Sequence, residues 1–360
     1  MWPDRRLLDL FHIEHPIIQA PMAGAMDWEL VAAAAEAGAL GSLPCAMLAP
    51  EQVRDQVGQI RGRTNKPFNL NFFCHRPPAT DGSAEAAWRA RLTAYYVELG
   101  LDPQAPINAP NRTPFDAAMC DVVVAAGPAV VSFHFGLPDA ALLNRVKDAG
   151  CLVLSSATTV AEARWLVEHG ADAVIAQGYE AGGHRGMFLT EDVAGQVGTF
   201  ALVPQVVDAV NVPVIAAGGI VDGRGIAAAL ALGAAGVQIG TAYLFTPEAK
   251  ISAPHRAALN AARDDGTALT NVMTGRPARG FVNRVMREVG PLSDQAPAFP
   301  LAANALAPLR AKAEAQGSGE FSPMWSGQAA ALGRELPAGE LTHALAAEAL
   351  DCMRRLGRAV

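Results

Sequence analysis

The chain has 360 residues, 51% of them hydrophobic and only 18% charged, with a net charge of −7. That length suits one large α/β domain with an appendage, and the low charge asks for much burial. The few lysines (Lys66, Lys147, Lys250, Lys312) and scattered arginines form no basic stripe for a nucleic acid or an anionic membrane surface. No apolar run reaches the roughly 18 residues of a membrane span, and Met1–Phe11 carries too much charge for a secretory signal. The five cysteines are widely spaced, without a Cys-x-x-Cys pair. Neither a disulfide scaffold nor a structural zinc site is expected, and a cytoplasmic location is.

In chain order, strand candidates fall at Pro16–Gln19, Ala39–Ser42, Phe68–Phe73, Val130–Phe133, Leu152–Ser155, Ala173–Gln177, Val214–Ala217 and Gly236–Ile239. They lack inside/outside alternation, as strands buried on both faces do. Ala-rich helical stretches lie between them. Leu30–Ala37, Asp139–Ala149, Val160–His169 and Gly225–Leu232 are each followed by a glycine able to take the left-handed C′ conformation. Gly170-Ala171-Asp172-Ala173-Val174 and Gly233-Ala234-Ala235-Gly236-Val237 echo one another at helix-to-strand junctions.

Eight βα units in about 240 residues predict a TIM (β/α)8 barrel. A doubly wound sheet is the rival, but the turn Gln19-Ala20-Pro21-Met22-Ala23-Gly24 is not a dinucleotide fingerprint. The expected division is a barrel over residues 1–245, an insertion at about 76–128 and a mostly helical extension over 246–360 covering the active site. The insertion contains a polar helix around Ala84–Glu98 and a Pro/Asn-rich run from Asp102 to Pro114.

Barrel chemistry sits at the C-terminal ends of the strands. Gly218-Gly219 and Gly240-Thr241, at the ends of the seventh and eighth strands, offer unobstructed N–H groups and a hydroxyl, which fits a phosphate site needing no lysine. Asn71, Gln177 and Gln238 are amides at strand termini, able to donate and accept, and suit the edge of a ring such as flavin. The competing reading makes them buried amides bonded to barrel backbone. His184, in a loop with Gly182, Gly183 and Gly186, is the candidate general base. His134, between Phe133 and Phe135, reads equally as a core histidine, and His75 beside Arg76 as a solvated one. Cys74 and Cys151 lack the company a nucleophile needs.

Several segments together resemble the nitronate monooxygenase family, in particular its bacterial class I branch. They are Gln19-Ala20-Pro21-Met22, Pro67 through Pro77, Val131-Ser132-Phe133-His134-Phe135-Gly136, Ala176 through Gly186, Ala216 through Ile220 with Asp222-Gly223-Arg224-Gly225, and Trp325-Ser326-Gly327-Gln328. The resemblance implies FMN and no metal. FMN would be held by Met22, Asn71, Gln177, Gly182, Gly219, Gln238, Ile239, Gly240 and Thr241. His184 would be the catalytic histidine, with His134, Phe299 and Trp325 lining the substrate. The implied reaction oxidises alkyl nitronates or nitroalkanes with O2 to carbonyl compounds and nitrite, through one-electron transfer to FMN.

Relatives acting on propionate 3-nitronate carry Tyr, Tyr and Lys at four-residue spacing, where this chain has Phe299, Ala303 and Ala307. A less anionic substrate is therefore expected, with Arg112 or Arg310 the candidates to replace the lysine. The alternatives are an NAD(P)H-dependent flavin reductase on the same barrel and a flavin- or phosphate-binding module without turnover. The expected partners are small molecules and O2, neither nucleic acid nor membrane, with a homodimer the assembly to test.

Overall fold

A computed structural model describes residues 2–79, 82–107 and 113–358. Arg112, a candidate substitute for the missing lysine, lies outside the described residues. The barrel strands are β1 (Ile17–Gln19), β2 (Gly41–Pro44), β3 (Phe68–Phe73), β4 (Val130–His134), β5 (Leu152–Ala157), β6 (Ala173–Gln177), β8 (Val214–Ala217) and β9 (Gly236–Ile239). They form one parallel sheet in the order β1-β9-β8-β6-β5-β4-β3-β2. A parallel bridge between Ile18 and Leu40 joins the two ends, which decides for the closed barrel over the open doubly wound sheet.

Burial explains the missing alternation: every residue of β1, β2, β6 and β8 is buried, since side chains meet either the barrel interior or the helices. The glycines after the four expected helices, Gly38, Gly150, Gly170 and Gly233, all take positive φ, from 82° to 101°. The second strand is the main shift of position, beginning at Gly41 instead of Ala39. Leu40 is spent on the bridge that closes the barrel.

The insertion and the extension are not separate appendages. The helix Gly82–Glu98 packs against the helix Ala302–Ala315 in a second core, with Trp88, Leu92 and Tyr96 against Ala302, Leu306 and Leu309. Trp88 Nε1 donates to the Ala302 carbonyl at 3.1 Å, and the Tyr96 hydroxyl to the Ala305 carbonyl at 2.7 Å. The extension also holds a hairpin, β10 (Thr267–Thr270) and β11 (Ala278–Phe281), which the helical pattern did not predict. Its inner strand pairs with a two-residue strand, β7 (Gly183–His184). The last helix, Ala338–Arg358, returns to the barrel and packs on the helices Gly223–Ala231 and Trp28–Glu36. Its Leu341, Leu345 and Ala349 join the main core, so part of the segment expected to cover the site belongs to the barrel wall.

Candidate active site

His184 is placed by a web of bonds to its own backbone. Its carbonyl accepts from Gln177 Nε2 at 2.9 Å and from His134 Nε2 at 3.1 Å. Gln177 Oε1 accepts from the Gly186 N–H at 2.7 Å, so one amide staples both sides of the loop. His184 Nε2 lies 2.9 Å from the Thr274 hydroxyl, which sits in the turn between β10 and β11. Pairing of β11 with β7 is what brings Thr274, ninety positions away, onto the imidazole. The Thr274 hydroxyl also lies 3.4 Å from the Arg276 carbonyl. A hydroxyl proton directed at that carbonyl would let the hydroxyl accept from Nε2–H and make Nδ1 the basic position of the ring.

His134 is fixed differently from the substrate contact expected of it. A carbonyl only accepts, so the bond to His184 O makes Nε2 of His134 the protonated nitrogen. Nδ1 then accepts from the Ser156 hydroxyl at 3.1 Å. Burial pushes its pKa down to about 4, so the ring is neutral at physiological pH. His134 is thus a positioning residue for the His184 loop. His75 was read as solvated; it is 4% exposed and packs edge-on against Phe299 at 4.8 Å.

The strand-six loop is held from behind by a fully buried cation. Arg185 donates to the carbonyls of Gly178 and Gln177 at 2.6 and 2.7 Å and to Gln196 Oε1 at 3.0 Å. Desolvation lowers its pKa to about 10, which still leaves it charged. Glu180 is structural: it caps the helix Thr199–Ala209, accepting from the Thr199 N–H and hydroxyl at 2.8 and 2.7 Å.

The glycine pairs lie at the ends of β8 and β9. Gly218 and Gly219 take φ of 116° and 70°, the left-handed region open to glycine. A Cβ on Gly218 would come within 2.8 Å of Thr199 Oγ1. The N–H groups of Gly218, Gly219, Gly240 and Thr241 take no backbone partner among the described residues. Gly240 faces Ala20 and Met22, where a Cβ would lie 3.4 Å from Ala20 Cβ and 3.6 Å from Met22 Sδ. Asp222 already caps the neighbouring helix, accepting from the Arg224 N–H at 2.9 Å, so the free donors are those of the loops.

Thr241 Oγ1 accepts from the Gly327 N–H at 2.9 Å, and the Gln328 N–H reaches the Glu180 carbonyl at 3.0 Å. The Trp325–Gln328 segment therefore seats on the cradle. Asn71 donates to the Ser132 hydroxyl at 2.9 Å inside the barrel, and Gln238 lies half-buried between Ile18 and Ala217. Ile239 is buried in the core, so it could offer a ligand only its backbone.

A family model described as nitronate monooxygenase matches residues 4–348. The chain belongs to the nitronate monooxygenase family. It is 44% identical over 347 residues to a nitronate monooxygenase of Pseudomonas aeruginosa, covering 95% of this chain and 98% of that one. It is 42% identical over 355 residues to one of Paraburkholderia phytofirmans, covering 98% and 97%. Among solved structures, a nitroalkane oxidase from Streptomyces ansochromogenes superposes with a TM-score of 0.88 at 40% identity, covering 98% and 99% of the chains. FabK from Thermotoga maritima superposes at 0.77 and 29% identity, covering all of both. As a member of this family the protein is an oxidoreductase.

Thr274 carries a part of this site that the residue pattern did not single out. Its sequence neighbourhood gives no signal, because it acquires its role by packing against a distant loop.

Proposed function

We propose that this protein oxidises alkyl nitronates, and nitroalkanes after loss of their α-proton, with O2 to carbonyl compounds and nitrite, using FMN. The observation that carries the reading is His184: an imidazole whose ring and carbonyl are both fixed, beside a glycine cradle, in a chain of this family. Flavin dependence comes with the family. FMN in particular is supported by the cradle, since four loop N–H groups suit the terminal phosphate of a mononucleotide. Gly218, Gly219, Gly240 and Thr241 would hold that phosphate, with Gly182, Met22, Asn71, Gln177, Gln238 and the backbone of Ile239 around the rest of the cofactor. Bound there, a flavin would supply the redox chemistry that links nitronate oxidation to O2.

The chain's own residues do the rest. His184 would take the α-proton of a neutral nitroalkane at Nδ1 while Nε2–H stays on Thr274, and would contact an already ionised nitronate without proton transfer. His134 and Gln177 hold the His184 carbonyl so that the ring does not swing away. Phe299 and Trp325, from the segment packed over the barrel end, lie 5.3 and 5.4 Å from the His184 ring and restrict water. This covering role is the one we assign to the extension up to Gln328.

A cytoplasmic location is supported by five cysteines that are all free thiols. Among the described residues no helix is long and apolar enough to cross a membrane. A homodimer is the assembly we propose to test by sedimentation. The deciding experiment is anaerobic mixing of the purified yellow protein with ethyl nitronate and, separately, with NADH. Loss of visible flavin absorbance with the nitronate supports the reading. Rapid bleaching by NADH alone, with no response to nitronate, would replace it by the flavin-reductase alternative.

A further inference from the structure

We propose that Arg276 is a positioning residue for His184: its side chain pins the tip of the β10–β11 hairpin, and with it the Thr274 hydroxyl, to the segments that hold the imidazole. The inference rests on the reading of His184 as the base of nitroalkane oxidation given above.

The pairing of β11 with β7 stops short of the hairpin tip. It ends where Ala278 meets His184, and one further bond runs from the Arg185 N–H to the Pro277 carbonyl at 2.8 Å. Thr274, Gly275 and Arg276 lie beyond that ladder, in the turn that leads back to β10. The turn closes on itself, with the Gly275 N–H donating to the Asn271 carbonyl at 2.7 Å. Gly275, at a φ of 90°, abuts the covering segment; a Cβ there would lie 2.7 Å from the Phe299 nitrogen.

Arg276 makes the contact to the barrel end. Its guanidinium lies 4.2 Å from the centre of the Phe135 ring and donates to the Met187 carbonyl. Phe135 follows β4 and stands next to His134, whose Nε2 donates to the His184 carbonyl at 3.1 Å. Met187 follows His184 by three positions in the strand-six loop. The Arg276 carbonyl lies 3.4 Å from the Thr274 hydroxyl, which meets His184 Nε2 at 2.9 Å. One residue therefore ties together the turn that meets the imidazole ring, the strand end that meets its carbonyl, and the loop that carries it.

The contact suits arginine in particular. The side chain is half-buried, and burial holds its pKa below the ordinary arginine value. Among the described residues it has no ion-pair partner, and Glu162 and Glu191 act on it only at longer range. A planar guanidinium can lie flat on a ring and donate from its edge at once, which a compact ammonium cannot. Phe135 takes a φ of 71°, a left-handed value rare for an aromatic residue, which the surrounding packing has to sustain.

The test uses the flavin-loaded enzyme and reads nitrite release from nitroethane and from preformed ethyl nitronate. Arg276→Met keeps much of the stem and removes the cation with its donors. It should lower kcat/KM for nitroethane about three- to twelvefold, and no more than Thr274→Val does, because it acts through that hydroxyl. The value for ethyl nitronate should change less than about twofold, since no proton leaves carbon. In a Thr274→Val background, Arg276→Met should add less than about twofold on nitroethane. Arg276→Lys keeps the charge and a donor without the flat face; it should fall between the wild type and Arg276→Met, and it carries the same comparison if the Met variant does not fold. No loss on nitroethane, equal losses on the two substrates, or full additivity with Thr274→Val overturns the inference while leaving nitronate oxidation standing. So does a loss confined to KM for propionate 3-nitronate, which would make Arg276 the counter-charge of a substrate tail instead. No turnover of ethyl nitronate by the wild-type enzyme refutes the functional reading and the inference with it.

Discussion

Replacing Thr274 by Val isolates the contact that sets the chemistry of His184. Thr274 is 3% exposed, and its hydroxyl meets Nε2 at 2.9 Å, so valine keeps the volume and removes the partner. A hydrogen bond of this kind contributes about 0.5–1.5 kcal/mol net, and a buried N–H left without a partner costs somewhat more. At about 1.4 kcal/mol per factor of ten, the loss of orientation corresponds to about a two- to twelvefold effect on proton removal. The effect should be confined to substrates that need a proton removed. With nitroethane, kcat/KM should fall within that range. With the preformed ethyl nitronate it should change less than about twofold, because no proton leaves carbon. The assay is nitrite release from each substrate at matched pH, with rapid mixing so that the nitronate does not reprotonate. An equal loss on both substrates would refute the assignment of Thr274 to the base, as would no loss on either.

Further outcomes follow from the same geometry. His184→Asn should lower nitroethane turnover by about 10²–10⁴-fold with flavin content unchanged; full activity in that variant would remove the base assignment. A Cβ at Gly182 would fall 2.5 Å from the Gly327 nitrogen and 2.6 Å from the Ser326 carbonyl carbon, so Gly182→Ala should destabilise the fold by about 1–3 kcal/mol and loosen flavin retention, read as a lower Tm. Glu162, fully buried, accepts from the Thr158 N–H and hydroxyl, both at 2.7 Å, and from the Phe188 and Leu189 N–H groups at 2.6 and 3.1 Å. Glu162→Gln turns two of those meetings into donor against donor and should cost roughly 3 kcal/mol in urea unfolding. Burial holds His134 and His255 each down to about 4, while the unfolded rings titrate near about 6.5. Below the unfolded value the unfolded chain binds protons that the fold refuses, so stability should fall as pH drops from about 6.5 to 4, by up to roughly 1.4 kcal/mol per unit and per ring. His255→Gln should reduce that slope; an unchanged slope would count against the assignment.

The barrel was legible in the sequence because its units are local. A short apolar run, an Ala-rich helix and a glycine stop repeat, and each is fixed by contacts close in sequence. That is why Phe68–Phe73 and Ala173–Gln177 fall where the pattern placed them. The glycine pairs were legible for a similar reason: φ of 116° and 70° at Gly218 and Gly219 strongly favours glycine, so the requirement leaves a mark in the residue type. His184 stood out through its glycine-rich loop, and the family through the whole set of motifs.

What packing alone decided is who touches His184. The hairpin that delivers Thr274 exists because β11 finds the edge of β7, a pairing across some ninety residues that no local pattern encodes. His134 looked like a substrate contact or a plain core residue; its role followed from two bonds, to Ser156 and to the His184 carbonyl. His75 and Arg76 are neighbours in sequence, yet His75 is buried against Phe299 while Arg76 is exposed. The sequence determined the barrel, its glycine cradle and its histidine, since those depend on residue type and short-range geometry. The tertiary structure decided the hydroxyl that meets the imidazole and the rings that surround it, since both depend on side chains meeting from distant strands and loops.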